Sequence, residues 1–246
     1  MRNKVTIFIL TLVLSLTSFG KISPKCKFYY TDKTLRISLS PTKDSKGVQI
    51  VERMGHTFKL IDLSQVSENS LEYAQSKKFL NEIFVRSLAH LNKDQSFIDS
   101  ILRLNPVLMK QMHILLMFDA VDTQKITAGS AFIVAKKPTE KLAFEKELDS
   151  ISVDQIGARG YPIAEIARVG MEPNTLQSPE KFRLLIDTIF EVSMLSLDIH
   201  SFYVFTSRFH RTLYKRYGYD LIELANTKTH PQLPANDLIL EGQLPR

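Results

Sequence analysis

Residues 164 to 205 constrain this chain more than any other stretch. Ala164-Glu165-Ile166-Ala167-Arg168-Val169 reads as a buried strand, and Ser178 to Leu197 reads as an amphipathic helix. Phe202-Tyr203-Val204-Phe205 reads as a second strand, and Leu213 to Tyr219 as a short helix that follows it. A strand, a crossover helix and a second strand in one sheet must run parallel and connect with a right-handed sense. The helix start is written in the residues. Ser178 can cap it, Pro179 suits its first position, and Glu180 complements the dipole. Phe182, Leu185, Ile186, Ile189 and Phe190 form its apolar face, with Arg183, Asp187 and Glu191 on the wet one.

Upstream the periods change. Thr57 to Leu63 alternates as a strand, and helical spacing predicts a helix over 70–91. Phe97 to Leu104 predicts another, ended by Asn105-Pro106. His113 to Asp119 and Thr127 to Val134 read as a hairpin, with Asp122-Thr123 at its turn. Pro138 to Leu148 reads as a short helix, 152–162 as a loop, and Asp237 to Leu240 as a last strand. Together these predict a single α/β domain. Its sheet is mixed, twisted and of about six to seven strands, antiparallel at the start, parallel across the crossover, with helices on both faces.

At the N-terminus, Arg2 and Lys4 precede an uncharged run from Val5 to Gly20. Ser18 and Gly20 suit the −3 and −1 positions of a cut before Lys21, the pattern of an export signal. The run is short for a spanning helix, which needs about 20 apolar residues. The expected organisation is a signal over 1–20, a polar extension over 21–55 and the α/β domain over 56–242. The expected location is outside the cytoplasm; an uncleaved membrane anchor and a cytoplasmic protein with an apolar start are the alternatives.

Composition removes several function classes. The formal charge is +6, but Lys and Arg are spread along the chain and do not interleave with aromatics as a nucleic-acid groove requires. That balance leaves room for contact with an anionic membrane surface. Cys26 is the only cysteine, so the chain has no internal disulfide. The six histidines have no ligand-like spacing to one another or to Cys26, so no metal is expected. There is no Gly-x-Ser-x-Gly elbow for a serine hydrolase.

The order of elements, with Glu165-Ile166-Ala167-Arg168 on the strand and His210-Arg211-Thr212-Leu213-Tyr214-Lys215-Arg216-Tyr217-Gly218-Tyr219 near the end, resembles the GNAT superfamily of N-acyltransferases. The resemblance covers about residues 57–242. It is nearest the branch of autoinducer synthases and N-acyl amino acid synthases, which carry a Glu-x-x-Arg pair on the fourth core strand. It implies transfer of an acyl group from a thioester, such as acyl-CoA, to a small-molecule amine. Glu165 is then the general base, or else a structural ion-pair partner of Arg168. Arg168 binds an anionic group of the acceptor, or is a surface arginine. Tyr214 protonates the leaving thiolate, or is a packing tyrosine. His210 orients the substrate, or is a loop or capping histidine. Val169 and Ser178 stand on the donor side. Gly218 is a helix C-terminal cap.

One departure is plain. GNATs hold the donor pyrophosphate with a glycine-rich loop between fourth strand and helix. Here Met171 to Glu180 contains no glycine, Pro179 removes an amide donor, and Glu180 repels phosphate. The sequence therefore carries two readings: a thioester-dependent N-acyltransferase, and an exported domain of that shape that binds a lipid, peptide or protein without catalysis.

Overall fold

Ten consecutive buried residues, Ile126–Ala135, make the central strand of a nine-stranded sheet. A computed structural model describes residues 38–41, 46–89, 106–147, 161–176, 178–199, 201–216, 219, 221–226 and 237–243. The strands are β1 (Ser38–Pro41), β2 (Val48–Arg53), β3 (His56–Asp62), β4 (Met112–Phe118), β5 (Ile126–Ala135), β6 (Ile163–Met171), β7 (Ser201–Ser207), β8 (Ile222–Asn226) and β9 (Asp237–Gln243). They lie in the order β1-β2-β3-β4-β5-β6-β7-β9-β8. Every neighbouring pair is antiparallel except β6 and β7, which run parallel as the crossover requires.

Strand alternation divides the core in two. Ile114, Leu116, Phe118, Ile133 and Tyr203 face one side, where Phe79, Leu80, Ile83, Phe84 and Phe144 cover them. Leu115, Met117, Phe132, Val134, Phe202 and Val204 face the other, against Leu185, Ile186, Ile189, Phe190 and Tyr214. Each fully buried side chain of this size contributes about 1.5–3 kcal/mol.

The first face is built by α1 (Leu71–Lys78), a π-helical segment Phe79–Phe84, α2 (Val85–Ala89), and the short α4 (Ala143–Glu147). A further turn, α3 (Pro106–Met109), leads into β4. The second face is built by α6 (Pro179–Leu195), preceded by a single turn, α5 (Pro173–Leu176), and by α7 (Arg208–Arg216). The expected cap is present: Ser178 Oγ accepts the Lys181 amide at 3.3 Å, and Pro179 opens α6. At the β4–β5 turn, Asp119 accepts the amides of Val121 and Asp122, and Asp122 accepts that of Gln124.

The structure corrects several sequence expectations. Among the described residues the sheet has nine strands: β1 and β2, inside the stretch expected as an extension, pair with each other and onto β3, and β8 escapes an alternation test because Leu221, Ile222, Leu224 and Ala225 break the period of two. The helix expected over 138–148 is α4, which starts at Ala143. Glu140 accepts the Lys136 amide and Glu145 the Leu142 amide, so both carboxylates hold 136–142 in a turn and begin the helix later. The last helix starts at Arg208 rather than near Leu213, so His210 is helical, not a loop residue. The helix over 97–104, Gly218, and the export-signal region 1–20 lie outside the described residues.

Candidate active site

Strands β6 and β7 pair only at Ile163–Ser201, Ala164–Phe202 and Glu165–Tyr203. Beyond that point the pairing with β6 ends, while β7 stays paired with β9 along its whole length, Ser201 with Gln243 through Ser207 with Asp237. The two parallel strands therefore splay, and Glu165 stands at the apex. The open edge of β6 runs from Ile166 to Met171.

Glu165 is 3% exposed, and one carboxylate oxygen accepts the Phe144 amide at 3.0 Å. Helix α4 thus seats its first turn on the base of the splay. On an unbroken strand, residues three apart face opposite sides of the sheet. Here the register between β5 and β6 slips between Gly129 and Ala131, so that Ala131 faces Ala167 while Gly129 faces Gly170. Arg168 is the extra residue, with φ at +50°. The bulge removes the geometric bar to Glu165 and Arg168 sharing a side. Arg168 is buried at 9% exposure, which corrects its reading as a surface arginine.

The far end of the β6 edge is held by α2. Ser87 Oγ accepts the Met171 amide at 3.0 Å and lies 3.1 Å from the Met171 carbonyl. The Glu172 amide, one residue on, donates back toward β5, to Thr127. Alternation then points the N–H and C=O of Val169 into the splay, as it does those of Met171. Two glycines allow this close docking. A Cβ on Gly129 would lie 2.9 Å from the Phe79 ring, and one on Gly170 would lie 2.9 Å from Phe84 Cα.

Tyr214 is 8% exposed and packs in the second core. Burial pushes its phenol up to about 12, so it stays protonated throughout the physiological range. His210, one turn earlier on α7, is pushed below the usual histidine range by burial and is neutral at pH 7. Ser178 caps α6 with its own hydroxyl, and α5 fills the stretch between β6 and that cap. Glu172 opens the stretch, paired at 3.0 Å with Arg86, which also meets Glu82.

Two residues at the apex were not singled out by sequence. Tyr203 and Glu241 continue the line from Glu165: Glu165 stands across from Tyr203, and Tyr203 from Glu241 of β9. They are 0% and 1% exposed. The available signal was a glutamate at the buried parity of Leu238-Ile239-Leu240-Glu241, where Ile239 faces the core. A separate cavity of about 420 Å³, lined in part by Gln49, Asp62, His113 and Lys136, lies at the end of the sheet away from the splay.

No protein-family model matches the chain, and no curated protein matches it in sequence. Solved structures do match. The CoA-dependent acyl-homoserine lactone synthase MesI aligns with 17% identity over 75% of this chain and 87% of that one, at a TM-score of 0.50. The CoA-dependent acyl-homoserine lactone synthase BjaI, solved with MTA, aligns with 15% identity over 76% and 82%, also at 0.50. The fold is that of the GNAT N-acyltransferases. FeeM, an N-acyl amino acid synthase from uncultured soil microbes, aligns at a TM-score of 0.46 with 14% identity over 76% of this chain and 90% of its own.

Proposed function

We propose that the chain is an N-acyltransferase that moves an acyl group from a thioester to a small-molecule amine, with the chemistry at the β6–β7 splay. The observation that carries this reading is the buried Glu165 at the apex, beside an open strand edge. The amine nitrogen attacks the thioester carbonyl carbon, the C–N bond forms, and the C–S bond breaks. Glu165 accepts the proton the nitrogen sheds, directly or through a water. The exposed edge of β6 at Val169 offers an N–H and a C=O that hold an extended donor as a strand holds its neighbour.

Tyr214 hydrogen-bonds to the departing sulfur. Full proton transfer from a phenol near 12 to a thiolate of ordinary basicity, near 8.5, is uphill by about 5 kcal/mol, so the tyrosine stabilises charge and the final proton comes from solvent. Arg168 pairs with an anionic group of the acceptor, and His210 orients from α7 as a neutral imidazole.

The donor is an acyl thioester, with acyl-CoA the first to test. Ser178 stands at the start of α6, where a donor phosphate would approach. The absent glycines, the α5 turn and Glu172 argue for a donor held by its pantetheine and acyl parts more than by pyrophosphate. The same features support a second reading, an exported non-catalytic domain that binds a lipid, peptide or protein. The binding reading takes residues 1–20 as an export signal, whereas the acyl-CoA reading takes them as an uncleaved apolar start inside the cell; a cleaved signal calls for another thioester. In both readings the basic surface allows contact with a membrane.

The test is acyl-thioester consumption by the purified full-length protein with a panel of primary amines. Amide formation that Glu165→Gln abolishes is expected. No thioester consumed with any amine overturns the catalytic reading and leaves the binding one.

A further inference from the structure

Glu241 is a buried carboxylate with an idle oxygen. It is 1% exposed, and its Oε1 has no hydrogen-bond partner. Nearby carboxylates behave differently. Glu165 takes the Phe144 amide at 3.0 Å and Glu145 takes the Leu142 amide at 2.7 Å. A buried acceptor left without a donor costs about 1–3 kcal/mol, so one that persists calls for an explanation.

Its place supplies that explanation. Tyr203 and Ile239 pack in the core that contains Phe144, while Phe202 and Leu240 pack in the opposite one. Alternation therefore sets Glu241 on the Phe144 side of the sheet, with Tyr203 and Glu165. The three form one row across β6, β7 and β9, and two strand spacings put the ends of the row roughly 10 Å apart. One end is the proposed general base.

We propose that Glu241 is the second anionic anchor of the acceptor site and that the acceptor is a diamine-class molecule, with a second cationic nitrogen besides the one acylated. This rests on the acyl-transfer reading. The nitrogen that attacks must be neutral, so it gives up its proton at Glu165 and cannot remain an ammonium held by another carboxylate. A carboxylate that holds a cation through the reaction must serve a different nitrogen. That nitrogen donates to Glu241 Oε1 and supplies the partner the free protein lacks. A charge-assisted bond to a carboxylate only 1% exposed is strong enough to set which amine is chosen.

The experiment compares 1,5-diaminopentane with n-pentylamine as acceptors, using octanoyl-CoA as donor, for the full-length protein and for Glu241→Gln. It also records the thermal shift each amine produces without donor. Wild type is expected to favour the diamine at least tenfold in kcat/KM, and Glu241→Gln to erase the preference with donor KM unchanged. Because glutamine keeps the side chain's shape and drops its buried negative charge, the Tm of Glu241→Gln should match or exceed that of wild type. Should Glu241→Gln fail to fold, Glu241→Asp replaces it; its shorter reach should raise the diamine KM and leave the monoamine KM alone. Equal use of both amines by wild type, or a preference that survives in the variant, overturns the proposal and leaves acyl transfer standing. A diamine that stabilises wild type but not the variant, with no turnover, keeps the Glu241 site and sinks the catalytic reading. No reaction and no thermal shift overturn both.

Discussion

Gly170→Ala tests how tightly the π-helical segment must dock for α2, which continues from it, to hold the edge of β6. The added Cβ would lie 2.9 Å from Phe84 Cα, 3.2 Å from its nitrogen and 3.3 Å from its Cβ. Two of these are backbone atoms on a helix, so no rotamer change relieves them. Reaching ordinary carbon contact near 3.5 Å moves the end of the π-helical segment, and α2 that continues from it, away by about 0.6 Å. That much overpacking costs about 1–3 kcal/mol. The same shift stretches the Ser87 contacts to Met171, now 3.0 and 3.1 Å, and forfeits about another 1 kcal/mol. The expected loss is about 2–4 kcal/mol, or a Tm lower by about 4–16 °C for a domain of this size. Urea denaturation of both proteins measures it. The control is Gly55→Ala, where the new methyl meets nothing within 4 Å but φ is +76°; it should cost only about 1 kcal/mol. A Gly170→Ala loss below about 0.5 kcal/mol would refute the argument that this glycine is required by helix approach.

Three further outcomes are expected. Arg53 meets Glu191 at 2.5 Å and Asp187 at 4.0 Å, both carboxylates pushed up by burial and drawn back by Arg53. Arg53→Ala should cost about 1–3 kcal/mol by urea titration, and a loss near zero would show the cluster is solvated. His113 and His210 are both pushed down by burial, so the unfolded chain binds protons that the folded one refuses. Their contribution is full above the unfolded value of about 6.5 and is lost as pH falls below it, by up to about 1.4 kcal/mol per pH unit for each. Stability that rose between pH 6.5 and 5 would contradict this; Asp187 and Glu191, with raised values, pull that way and lose their share as pH climbs through the carboxylate range. Tyr214→Phe should lower kcat with little change in acceptor KM. A limb in the wild-type rate profile below pH 10 that this variant removes would contradict a phenol held near 12.

The crossover was legible because its signals are local. The Ser178 cap, Pro179 and the Leu185-Ile189 face fix α6, and a strand on each side of it forces a parallel pair. Glu165 and Arg168 were legible as residues but not as a geometry. A strict period of two separates them, and the bulge that relaxes it depends on Gly129, Gly170 and the helix above, contacts made across long sequence separation. Ser87 and Glu241 were hidden for the same reason. Ser87 acts 84 residues away from Met171, and Glu241 gains meaning only from its register with Tyr203. The burial of Tyr214 depends on packing in a cluster with Phe202, Val204, Leu240 and Ile189, which no spacing rule encodes.

The central claim is that a thioester lies along the open edge of β6. Amide hydrogen exchange of the full-length protein, with and without a non-hydrolysable octanoyl-pantetheine thioether, addresses it directly. Slowed exchange at 166–171, with the cavity residues 47–49 and 134–136 unchanged, is the expected result. Protection confined to the cavity end, or none anywhere, would contradict it.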